Sequence, residues 1–197
     1  MDQHAWLLFI YQIPATPSTH RAFAWRKLKS LGALYLQNSI CVFPASGGLE
    51  RALEALKAEV ADRGGHAQLF HAAFSPAEAA DLVGRFGAQT EDEYDEFLEQ
   101  CADFHAELSK ERERRHFTFG ELEENEAELQ KLRLWLPRME ARDFFAAPSR
   151  GLVRKALDDC ADDFALFERE VEATSNPVSP PDLPHPTIAN TDRRREG

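Results

Sequence analysis

The chain has 197 residues, 43% of them hydrophobic and 29% charged, and a net charge of −11, which suits one packed domain or two small ones and excludes wholesale disorder. No run approaches the roughly 18 apolar residues of a membrane span, and the opening MDQHAWLLFIYQIP lacks the basic segment and small-residue cleavage site of a secretory signal, so no membrane partner and a cytoplasmic location are expected. Cys41, Cys101 and Cys160 are odd in number and far apart, with no CxxC spacing, which argues against a disulfide framework or a zinc knuckle and for reduced thiols.

Ala5–Gln12 is a continuous apolar, aromatic-rich run and predicts a buried strand. The PATP of 14–17 ends it, and Ser18 or Thr19 is positioned to cap a helix running to about Leu31, with Gly32 as its stop. Ala33–Gln37 and Ser39–Phe43 read as two short strands in a hairpin around Asn38, followed by a helix over 49–63 with Leu49, Leu53, Leu56 and Val60 at helical spacing. Gly64-Gly65 stops that helix, and His66–Ala73 is a fourth strand. The resulting order is βαββαβ, the ferredoxin-like arrangement, with two helices on one face of a four-stranded antiparallel sheet.

From Ser75 onward the pattern is helical. Ser75/Glu78, Thr90/Glu93 and Thr118/Glu121 have capping-box spacing and predict three helix starts. Tyr94, Phe97, Cys101, Phe104 and Leu108 form one apolar seam. Leu122, Asn125, Leu129, Leu132, Leu136 and Met139 form a second, and Val153, Leu157, Cys160, Phe164, Phe167 and Val171, in a helix over 149–173, form a third. Such seams predict a helical hairpin or an antiparallel three-helix bundle, in which emptying the Phe164 site would cost about 3–5 kcal/mol. The proline-rich stretch from Thr174 is expected to be a disordered tail. The fold class is therefore α+β, with a ferredoxin-like domain over 1–75, a helical bundle over 76–173 and a tail over 174–197.

The negative net charge by itself argues against a polyanionic partner, but its distribution is uneven. Within residues 1–50, Arg21, Arg26, Lys27 and Lys29 face only Asp2 and Glu50, so the negative excess lies entirely beyond them. All four cations belong to the first helix. At 100° per residue, Ala24, Trp25, Leu28 and Leu31 share one stripe, Arg26 and Lys29 project opposite, and Lys27 flanks them. This face is either ordinary solvated surface or a phosphate contact. Arg21 falls on the apolar stripe, where its stem either packs on Trp25 or holds out a fork for a phosphate or oxyanion.

Other clusters favour structural readings. Lys110, Arg112, Arg114, Arg115 and His116 are interleaved with Glu111 and Glu113, as expected for i,i+4 ion pairs at a helix end rather than an anion site. Cys101 and His105 are four apart and could ligate a metal, but they lie on a seam where cysteine is usually a small hydrophobe. The acids of 121–126 suit a helix N-terminal turn. GxSxG, P-loop, GxGxxG, HExxH and HxE…PCxxC patterns are absent, so no enzyme, cofactor or metal is expected.

WRKLKSLGALYLQNSICVFP at 25–44 resembles the N-terminal domain of ChrB-type chromate-resistance regulators. The likeness extends through IYQIPATPSTHRAFAW, DEYDEFLEQCADF at 92–104, FTFGELEENEAELQKLRLWL at 117–136 and RDFFAAP at 142–148. The resemblance implies a Cas2-like, ferredoxin-like module followed by a helical bundle, and a chromate-responsive transcriptional regulator whose first helix binds promoter DNA through Arg21, Arg26, Lys27 and Lys29. A Cas2-type nuclease would need an aspartate at the end of its first strand to hold a metal, where this chain has Tyr11-Gln12-Ile13-Pro14. A related module in phenylacetate-type repressors serves dimerisation, so a homodimer is expected. Full-length family members carry a further C-terminal domain associated with chromate sensing. The chain is thus read either as a stand-alone version or as one whose sensing half is a separate chromate-sensing protein. The rival readings are a protein-protein interaction or dimerisation module without DNA binding, and an oxyanion-binding accessory factor centred on Arg21.

Overall fold

A computed structural model of the chain describes residues 5–175. The tail expected over 174–197 lies, from residue 176 on, outside the described residues. The protein is α+β: β1 (Trp6–Gln12), α1 (Ser18–Ser30), β2 (Leu34–Gln37), β3 (Ile40–Pro44), α2 (Gly47–Ala61), β4 (His66–Ala72), α3 (Pro76–Arg114), α4 (Phe119–Glu140) and α5 (Arg150–Ser175). The four strands form one antiparallel sheet in the order β2-β3-β1-β4.

Alternation along the strands sorts their side chains between two cores. Leu7 and Phe9 of β1, with Cys41 and Phe43 of β3, face α1 and α2 and pack on Ala24, Leu28, Leu53, Leu56 and Val60. Trp6, Leu34 and Val42 face the opposite side, where Leu82 and Phe86 of α3 cover them. This double burial explains why β1 reads as an unbroken apolar run. Register is held at Leu7↔Phe43 and Phe9↔Cys41.

Two glycines are fixed by the packing. Gly32 has φ +81, and a Cβ there would lie 2.9 Å from Phe144 Cε2. At Gly65 a Cβ would lie 2.7 Å from the Gln12 carbonyl oxygen and 2.8 Å from Val60 Cγ1, so only glycine lets α2 turn directly into β4.

The helix starts differ from expectation at two places. The N-cap of α1 is Pro17, and neither Ser18 nor Thr19 caps it. The box at Thr90 starts nothing, because α3 runs 39 residues without a break, about 58 Å at 1.5 Å per residue. Thr90 instead donates its hydroxyl to the Phe86 carbonyl, and Glu93 pairs with Arg142. Apolar contacts on both sides of Thr90, with Leu82 and Phe86 on the sheet and Tyr94 onward on α4 and α5, hold the backbone helical through the cap signal. The other two starts stand: Ser75 and Glu78 form the reciprocal box, and Thr118 accepts from the Glu121 amide.

Helices α3, α4 and α5 share one core built on Tyr94, Phe97, Leu108, Leu129, Val153, Phe167 and Val171. Phe164, expected to fill the seam, is only half-buried, whereas Phe167 three residues on is fully buried. At the α4–α5 connection the buried Asp143 accepts from the Tyr94 hydroxyl at 3.0 Å and the Ala147 amide at 2.9 Å. Burial and this carboxylate both push the Tyr94 phenol above its ordinary pKa, so it remains a donor. Between α3 and α5, Asp163 accepts from His105 Nδ1 at 2.6 Å and from Arg112 Nη1 at 2.7 Å, while Arg112 also reaches Glu170 at 2.8 Å.

Phe167→Ala should therefore cost about 3–5 kcal/mol in urea unfolding, the range for emptying a buried aromatic site, and Phe164→Ala clearly less. Equal costs would show that the α5 face is misassigned. Burial works to raise the Asp163 carboxyl, but the bonds from His105 and Arg112 outweigh it and hold the group below its ordinary pKa. A lowered folded-state pKa contributes stability above the unfolded value, and that contribution is lost as pH falls through the folded value. Asp163→Asn should thus destabilise by about 2 kcal/mol at neutral pH, as expected for charge-assisted bonds, and its deficit against the parent should shrink at acid pH. A deficit that is constant with pH would refute the assigned role.

Candidate nucleic-acid interface

Helix α1 contains no acidic residue, and its rotation about its own axis decides which cations meet solvent. Ala24 and Leu28 are buried, and Phe23 and Leu31 pack beside them. Phe23 and Trp25 lie two residues apart, about 200° around the helix, so only one of them can face the sheet. Phe23 takes that side. Trp25, placed on the apolar stripe by the wheel, is 52% exposed instead, and Arg21 turns outward with it. Arg21 therefore does not pack over the core.

The four candidate cations divide into two kinds. Arg21 and Arg26 are exposed and have no hydrogen bond or ion pair among the described residues. Lys27 is partly committed, 3.7 Å from Glu59 of α2 and over the Phe23 ring at 5.8 Å. Lys29, expected to project freely, is half-buried. Arg63 packs on the other side of this group, with its guanidinium 3.7 Å from the Phe23 centroid and a bond to the Glu59 carbonyl at 2.6 Å. It is a further cation near α1 that helical periodicity could not reveal, because it comes from the turn that follows α2. Lys27 and Lys29 also occupy the last turn, where cations complement the helix dipole.

Arg21 and Trp25 open onto a groove completed by Tyr11, Tyr35, Gln37, Asn38 and Ser39. Its lining is thus one guanidinium, an indole, two phenols, two amides and a hydroxyl. The Tyr11 and Tyr35 hydroxyls are 3.4 Å apart. Burial raises both phenols above their ordinary pKa; the hydrogen bond between them adds to the rise at Tyr35 and opposes it at Tyr11. Burial also pushes the neighbouring Cys41 thiol up to about 12. At neutral pH all three stay protonated, so the groove carries the charge of Arg21 and offers neutral O–H groups beside it. Sequence reasoning missed these tyrosines. The strand alternation that pairs Tyr11 with Phe9 and Tyr35 with Cys41 could have placed them beside α1.

The remaining sequence candidates lie elsewhere. In the 110–116 cluster the expected i,i+4 pairs do not form: Lys110 pairs with Glu107 and Arg114 with Glu111 at i,i+3, Arg112 crosses to α5, and Arg115 makes no ion pair among the described residues. Cys101 and His105 do not converge on one point. His105 Nε2 faces Cys160 Sγ at 3.5 Å, and Cys160 donates toward the Cys101 carbonyl at 3.7 Å.

The family model described as "Protein ChrB, N-terminal" matches residues 21–177. Protein ChrB of Cupriavidus metallidurans is 29% identical over 106 residues, which is 53% of this chain and 32% of that protein. The match thus spans about a third of the relative's length. With four-fifths of its residues, including all of α1 from Arg21 onward, inside the family match, the chain belongs to the ChrB N-terminal family.

Proposed function

We propose that this chain is a non-enzymatic, DNA-binding regulatory protein of the chromate response, acting as a cytoplasmic homodimer that docks α1 on promoter DNA. In this reading the sheet half is a ferredoxin-like module, and α3, α4 and α5 form an antiparallel bundle that supports it. Arg21 and Arg26 make the principal phosphate contacts, with Lys27 and Lys29 as secondary cations and chromate sensing supplied by a separate protein or domain. The observation that carries the reading is the Arg21–Trp25 groove, where an unpaired guanidinium sits among neutral hydrogen-bond donors with no carboxylate in the lining. In a protein of net charge −11, such a surface is where a phosphate backbone would meet attraction instead of repulsion. Family membership supports the link to chromate resistance.

The test is binding to the DNA upstream of the protein's own gene as a function of salt. Arg21→Ala combined with Arg26→Ala should lower the slope of log affinity against log salt by about two, one per phosphate contact removed. Each variant should keep its stability within about 0.5 kcal/mol, because neither side chain is partnered. Lys27→Ala should have a smaller effect, since Glu59 already neutralises part of its charge. Binding should also quench the fluorescence of the exposed Trp25, and Trp25→Phe should remove that quenching without unfolding the chain. If affinity and salt slope are unchanged in the double variant, α1 is not the contact, and the protein is better described as an interaction module.

A further inference from the structure

The corner between α3 and α4 holds a second cluster that the DNA-binding reading does not use. Helix α3 ends with Arg115 in the left-handed region at φ 54, and the His116 amide turns back to the Glu111 carbonyl at 2.9 Å. Thr118 then caps α4 by accepting from the Glu121 amide at 3.2 Å. Those two closures bring residues 111, 116 and 121 to one place. We propose that Glu111, His116 and Glu121 form a binding site for a divalent transition-metal cation.

The ligand atoms of the three side chains all lie within 4.8 Å of one another. Glu111 Oε2 is 3.2 Å from His116 Nδ1, and His116 Nδ1 is 4.0 Å from Glu121 Oε1. Donors about 2.1 Å from a common tetrahedral metal are about 3.4 Å apart, so the observed separations bracket the geometry a cation would impose. An independent observation comes from Glu111, which is only 2% exposed. Its Oε1 takes Arg114 Nη1 at 3.3 Å, but its buried Oε2 accepts no hydrogen bond among the described residues and lies toward the imidazole. A buried carboxylate oxygen left without a donor is costly, and a cation between the three groups would satisfy it.

The surroundings favour positive charge. The same groove between α3 and α4 is lined by Asp103, Glu107, Glu124 and Glu128, and Arg114 is its one cation. Arg114 is largely exposed and engages the oxygen facing away from the proposed ligand point. One imidazole with two carboxylates and no thiolate suits zinc, cobalt, manganese or ferrous iron over soft cuprous copper. Three protein ligands leave at least one position for water.

The experiment titrates the untagged, chelator-treated full chain with zinc by calorimetry and with cobalt by visible absorption. The expected result is one zinc per chain, and cobalt ligand-field bands that disappear in His116→Ala. His116→Ala and Glu121→Gln should each weaken zinc binding at least tenfold, while their metal-free thermal melts stay close to the parent's, because both side chains are partly or largely exposed. Glu111→Gln should do the same, and its melt reports whether the buried position still packs. Absence of zinc binding would overturn the proposal. So would zinc binding that is undiminished in both His116→Ala and Glu121→Gln, because the metal would then sit elsewhere on the chain.

Discussion

Trp6 lies wholly out of water, enclosed by the rings of Phe86, Phe145 and Phe74, each with its centroid 6.1 Å away. Everything on the far face of the sheet is arranged around that indole. Phe86 stacks on it from α3, while Phe145 reaches it from the connection between α4 and α5, where Phe144 packs edge-on against Phe86. Burying a large aromatic removes upward of 150 Å² from contact with water. The sheet and the helices are therefore joined through a common hydrophobic cluster, and α3 serves both cores because it is uninterrupted. Gly32, at the exit from α1, passes directly under Phe144 of the same cluster.

Charge is distributed in keeping with this framework. Carboxylates dominate the helical half, where Asp163, Glu170 and Glu111 are used to hold Arg112, His105 and Arg114. The first helix has no acid of its own, and only Lys27 borrows one from α2. A chain that is acidic overall thus keeps, on α1, two exposed arginines that no carboxylate among the described residues neutralises. Neutral tyrosines beside Arg21 preserve that polarity, because an ionised phenol would cancel the guanidinium.

The strands and most helix ends were legible because they depend on local signals: the apolar run of β1, Gly64-Gly65 before β4, and Ser75 with Glu78 before α3. The family was legible too, through the motifs around α1 and α4. Periodicity failed where tertiary packing chose between equivalent local answers. The wheel put Trp25 on the apolar stripe of α1, but the sheet surface takes Phe23, which lies at a similar angle on the other side of Ala24, and Arg21 turns with Trp25 to the groove. Thr90 carried a valid cap signal that contacts on either side of it overrode. On α5, Phe164 and Phe167 fit the same helical rhythm, and their different burial depends on where α3 and α4 end. Glu111 looked like one more acid in a charged run, since its burial arises from a turn that joins residues ten positions apart.

The shared ring cluster also bears on how the protein could be divided. A break ahead of Pro76 would fall at an obvious composition boundary, yet it would strip Leu82 and Phe86 from Trp6, Leu34 and Val42. The severed sheet would present a flat apolar face in place of its missing cover, and such surfaces drive self-association. Pairing of isolated sheet fragments would then reflect that exposed wound, not the way intact chains meet.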